Sequence, residues 1–132
     1  MEELMNSNVV KLLKEQIWYL STYSDEPNAV PVAFKDVTDD GQLLVGDVFL
    51  DTTLSNIQAN GKIAISACDG QTMEGYQIKG TAEYVTAGPI VDAFKKTVSE
   101  MFNGQATAKG ALIITPEKTI VTTPGADNKK LI

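Results

Sequence analysis

The sequence predicts a mainly β chain of the α+β class: a small antiparallel barrel of six or seven short strands with flanking helices. Three observations predict it. Short runs of β-branched, aromatic and aliphatic residues recur along the chain, each bounded by Gly, Pro, Asn or Asp turns. One longer strand-like run carries Gly75 and Gly80, the bends expected where a sheet closes on itself. Helical spacing of apolar residues is confined to the start, the middle and one stretch before the last strands. Such a chain closes most easily into a barrel plugged or flanked by its helices.

Each element has a local reason. Met5, Val9, Leu12 and Leu13 lie at helical spacing, so an amphipathic helix over 2–16 opens the chain. IWYLSTY (17–23) is a strand on which Trp18 and Tyr19 face opposite sides, Trp18 toward the core. After a turn at 24–28, AVPVAFK (29–35) reads as a second strand. Pro31 within it cannot donate to a ladder and marks an edge, a bulge or a ligand. Asp39, Asp40 and Gly41 turn the chain into QLLVG (42–46), a helix follows over 52–60, and KIAISAC (62–68) is the next strand, with Cys68 read as buried. MEGYQIKGTAEYV (73–85) is the long strand. Pro89 opens a helix whose apolar stripe runs through Ile90, Val91, Phe94, Val98, Met101 and Phe102 to a stop at Asn103 and Gly104. GALIIT (110–115), a turn at 115–118 and TIVTT (119–123) form a closing hairpin, and a polar tail (124–132) is loose until its last two residues. The whole of 1–132 reads as one domain, with its barrel over 17–123.

Composition excludes several kinds of function. The chain of 132 residues can bury about two thirds of its unfolded surface without staples. It carries 17 acidic and 11 basic residues, a formal charge of -6, which argues against nucleic acid and anionic membranes. No apolar run approaches the ~20 residues that span a bilayer, and MEELMNSN does not read as a secretory signal. The single cysteine forms no internal disulfide, and the expected location is cytoplasmic. There is no histidine, hence no Ser–His or Cys–His pair, no imidazole metal ligand and no imidazole base. With only one cysteine as well, a structural zinc site is excluded. No catalytic side chain and no metal ligand is nominated, so a cofactor would carry any redox chemistry.

The most informative segment is Leu43 to Cys68. Its short helix opens with Thr52 and Thr53 and adds Ser55 and Asn56. A helix start offers unpaired N–H groups, a positive dipole end and hydroxyl donors, which suit a phosphate. The same residues also serve as an ordinary cap, and both readings stay open on these residues alone.

Four strings in this order resemble one known family. YLSTYSDEPNAVPVAF is similar to an opening hairpin, TTLSNIQANGKIAISA to a helix-and-strand segment, GYQIKGTAEYVTAGP to a strand before a long helix, and KGALIITPEKTIV to a closing hairpin of the pyridoxamine 5′-phosphate oxidase-like FMN-binding split-barrel proteins. The resemblance covers about 15–123 and is closest to the short FMN-binding proteins and flavin reductases. It implies an antiparallel split barrel and a homodimer holding FMN in a cleft shared between two barrels. It also implies that Pro31, Val32 and Ala33 pass under the flavin, while Gly46, Asp47 and Val48 border its ring with backbone N–H groups. Thr52, Thr53 and Asn56 match the phosphate positions, and Lys109 a basic position ahead of the last hairpin. The chain departs from the family at Thr52, where many members carry Lys or Arg. Losing that charged hydrogen bond weakens FMN about ten- to hundredfold. Lys35 compensates only if it turns inward; otherwise it is a solvated surface lysine.

The function so implied is an FMN-dependent oxidoreductase acting on a small molecule through flavin N5. The alternatives are a non-catalytic FMN-binding or electron-transfer module and a dimeric binding domain that has lost its flavin. True pyridoxamine phosphate oxidase activity is not expected, because the chain lacks the Arg- and His-bearing C-terminal segment of the full-length oxidases.

Overall fold

The computed structural model of the chain describes residues 5–132. Helix α1 (Ser7–Glu15) is followed by β1 (Trp18–Tyr23), β2 (Pro27–Val32), β3 (Lys35–Val37) and β4 (Leu43–Asp47). Then come α2 (Thr52–Asn60), β5 (Lys62–Cys68), β6 (Gly75–Val85), α3 (Pro89–Met101) and β7 (Gly110–Val121). All seven strands form one antiparallel sheet in the order β2-β1-β5-β6-β7-β4-β3, curled into a split barrel with three flanking helices. The first residues of the helix expected over 2–16 lie outside the described part. From Ser7 it is present, capped by Asn6, whose side chain accepts from Asn8 N at 2.8 Å.

Two strands differ from their sequence reading. The run 29–35 is not one strand: β2 ends at Val32, and β3 begins at Lys35 on the opposite edge of the sheet. Ala33 and Phe34 alone join the two edges. Pro31 is tolerated because β2 pairs only with β1. Conversely, the expected hairpin at 115–118 is absent. β7 runs unbroken along β6, and the register shifts between Lys79 and Gly80, where Gly80 faces Pro116. Pro116 has no N–H to give, and a bulge absorbs it where a turn would have been needed otherwise. A Cβ on Gly80 would lie 2.2 Å from the Thr115 carbonyl oxygen, so only glycine fits.

Inside the curl, Trp18, Leu20, Leu43, Val45, Ile65, Ile78, Leu112 and Ile114 pack with Val9, Leu12 and Leu13 of α1 and Ile57 of α2. Each fully buried aliphatic contributes about 1.5–3 kcal/mol relative to exposure, so this cluster dominates stability. Trp18 is fully buried, and its indole Nε1 donates to Leu13 O at 2.7 Å. Outside the curl, Val91, Phe94 and Val98 of α3 cover Leu44 and Ala111 of β4 and β7. Phe94 reaches β4 over Gly46, where a Cβ would stand 2.8 Å from its ring.

Two further expectations change. Cys68 is exposed, because the alternation of β5 puts the strand's last residue on the outer face. The tail is tied back along β7: Val121 N donates to Lys130 O, Lys129 N to Val121 O and Ile132 N to Thr119 O. Beyond Ile114, β7 has outrun β4, and the tail satisfies backbone groups left on that side.

Gly80→Ala should lower unfolding free energy by about 1–3 kcal/mol through the forced shift of β7. Gly70→Ala, with open space around it, should be near neutral. Urea midpoints of the two variants against the native chain test the bulge.

Candidate functional site

A cleft of about 470 Å³ opens where β2 leaves the sheet, Ala33 and Phe34 cross, and the chain climbs from β4 into α2. Pro31, Val32, Ala33, Gly46, Val48, Thr52 and Thr53 line it, together with Asn28, Val30, Phe34, Phe49, Leu50 and Asp51. It is an apolar slot with a polar end. That end is the first turn of α2, where Ser55 N to Asp51 O is the first helical hydrogen bond and no side chain caps the amides before it. Buried Thr53 accepts from Asn28 Nδ2 at 2.8 Å, which fixes its hydroxyl and leaves its proton to donate.

The remaining residues singled out from sequence lie elsewhere. Asp47 is fully buried and turned away from the cleft; its Oδ1 accepts from Leu50 N at 3.0 Å and its Oδ2 from the Tyr84 hydroxyl at 2.6 Å. Its role here is to fold the turn that carries Val48, Phe49 and Leu50. Asn56 is buried too, donating to Thr22 Oγ1 at 3.0 Å and so tying α2 to β1. Lys109 is exposed and does not line the cleft; its backbone N–H donates to Asp47 O at 2.8 Å. The Gly46 amide donates to Phe34 O at 2.9 Å, so Gly46 contributes wall but no free donor.

Lys35 takes neither of the roles open to it. Its ammonium donates to Leu13 O at 3.0 Å and lies 5.2 Å from the Trp18 ring centroid, clamping α1 to β3. Burial holds its pKa below the usual lysine value. Among the described residues, no lysine or arginine lines the cleft, and Asp51 is its one charged residue.

Asn28, Phe34 and Phe49 have no counterpart among the sequence candidates. Asn28 was findable, since the period of two puts it on the face of β2 that carries Val30 and Val32.

The family model described as pyridoxamine 5′-phosphate oxidase matches residues 5–125. The chain belongs to that family. An uncharacterised protein of Methanocaldococcus jannaschii is 31% identical over 132 residues, spanning 97% of this chain and 87% of its own. Among solved structures, HupZ of Group A Streptococcus is 27% identical with a TM-score of 0.80, over 94% of this chain and 98% of that one. An FMN-binding protein of Syntrophomonas wolfei subsp. wolfei, 16% identical, shares the fold with a TM-score of 0.78, over 89% of this chain and 86% of its own. Among the described residues, no helix is long and apolar enough to cross a membrane.

Burial and the Asp47 carboxylate push the Tyr84 phenol up to about 12. In the unfolded chain the phenol ionises near 10. Between those values the unfolded state has lost a proton that the folded state still binds, so stability falls as pH rises from about 10 to 12. Below pH 10 the contribution is complete. Tyr84→Phe should make the alkaline decline shallower, leaving the share of Tyr76, whose phenol burial and Glu74 also push up to about 12. It should cost about 1.5–3 kcal/mol at neutral pH, the range for a hydrogen bond to a charged group. Urea unfolding at pH 7 through 12 checks both.

Proposed function

We propose that this member of the family binds FMN in the cleft and works as a flavin-dependent oxidoreductase on a small molecule. The observation that carries the reading is the uncapped first turn of α2 at the end of an apolar slot. The slot lies within the roughly 300–1,000 Å³ range of ligand sites. The residues present fit the group. Amides at 52–54 and the hydroxyls of Thr52 and Thr53 supply donors for a phosphate. Val30, Val32, Phe34 and Val48 supply apolar walls for a flat ring. The shared fold of the FMN-binding Syntrophomonas wolfei protein supports the same reading.

A bound flavin supplies hydride or electron transfer. The chain's part is to hold the ring against the Ala33–Phe34 segment, fix the phosphate end at α2 and keep water from the slot. With no histidine in the chain, no imidazole takes part. The proposal includes a cytoplasmic homodimer in which a second copy closes the cleft. Exposed Met101 and Phe102, which are 65% and 37% accessible, support it as apolar surface left to bury.

One observation favours a second reading, a binding domain that has lost its flavin: Asp51 is the cleft's one charged residue, and it repels a phosphate. FMN titration with visible spectra separates the two. Binding with a perturbed flavin band supports the first reading; a colourless protein that ignores added FMN supports the second. Thr52→Lys should tighten FMN about tenfold or more by adding a charged hydrogen bond. Unchanged affinity in that variant would remove the phosphate from α2. Light scattering should give twice the 14.2 kDa chain mass, and a monomer at micromolar concentration would refute the shared cleft.

A further inference from the structure

Among the described residues, Phe49 is the most exposed of the large apolar side chains. It stands 78% exposed between Val48 and Leu50, which are 9% and 8% exposed. The turn that carries it is closed by Leu50 N donating to Asp47 Oδ1. The ring is not loose, however. It meets Phe102 nearly at right angles, with centroids 6.5 Å apart, and Phe102 lies 6.0 Å from Phe34. Those spacings fall within the range of favourable aromatic pairs. The three rings therefore form an arc. Its two ends, Phe34 and Phe49, line the cleft, while Phe102 stands behind them and does not.

We propose that Phe49 is the ring-stacking residue of the cleft, covering the flat face of a planar heteroaromatic ligand, with Phe102 as its buttress. This rests on the reading of the cleft as a flavin site and adds the residue that selects for a flat ring. The donors at the α2 end recognise a tail and place no demand on the ring's shape; an exposed, pre-positioned aromatic does. Little ordering is needed on binding, because the turn and Phe102 already hold the ring. Apolar wall and polar end also lie on one slot, so a ligand anchored at Thr52 and Thr53 is led past Phe49.

FMN is the probe, added to the full chain and to three variants. Phe49→Ala should weaken FMN about tenfold and restore the flavin emission that stacking quenches. Phe49→Leu, which keeps much of the apolar area, should bind with intermediate affinity and still fail to quench. Phe49→Trp should retain affinity and quenching, and its new indole emission should fall on FMN addition more steeply than that of buried Trp18 in the native chain. Equal affinity and equal emission across all four proteins would overturn the proposal and leave the flavin site standing. Failure of FMN to bind the native chain would overturn both. A Phe49→Ala chain that binds FMN normally but falls from dimer to monomer would identify the ring as a subunit contact, and would also overturn it.

Discussion

Two residues hold this architecture closed. β2 and β3 are the opposite edges of a seven-stranded sheet, yet only Ala33 and Phe34 separate them in the chain. Three residue steps span at most about 11 Å, so the sheet has to curl until its edges nearly meet. Hydrogen bonds do not complete the circle; a covalent bridge does, stitched to β4 by the Gly46 amide on Phe34 O. The gap that results is the cleft. Ala33 and Phe34 also border a second cavity of similar volume against α3, so this segment lies between the two spaces.

The second constraint is polar. A carboxylate with no exposure is costly unless its oxygens are occupied, and Asp47 fills both from groups on different elements. One bond folds the turn into α2, and the other reaches β6. Thr53 with Asn28 and Asn56 with Thr22 repeat the pattern, each joining α2 to a strand by neutral groups. Among the described residues, no buried side-chain nitrogen or oxygen is without a partner. α2 is therefore seated by hydrogen bonds as much as by Ile57, its one buried large apolar side chain.

Much of this was legible in the sequence, and the misreadings share a cause. The sequence reads six or seven strands and the structure has seven, but they are divided differently. AVPVAFK is uniformly strand-like, and nothing local marks the break at Ala33; it comes from the two halves finding partners at opposite ends of the sheet. The Thr115–Lys118 segment carries a turn-forming proline, yet pairing with β6 overrides it through the bulge at Gly80. In the cleft, the residues taken from β2, from the end of β4 and from the start of α2 lie together, because each is close to a strand or helix end. Asp47 and Asn56 belong to the same segment but face inward. Their direction depends on Tyr84 and Thr22, 37 and 34 residues away, and no local pattern carries that information.

The placement of β7 also governs how the chain can assemble during synthesis. β2, β1, β5 and β6 can pair once residue 85 has emerged, and β3 with β4 form a hairpin of their own. No strand pairing joins these two pieces until β7, the last strand, inserts between β6 and β4. At about 5–20 residues per second, the eleven-residue free edge of β6 waits roughly 2–7 s for its partner. An unpaired edge of that length is a template for another nascent chain. The arrival of the last strand therefore ends that exposure in the same step that joins the two halves of the sheet.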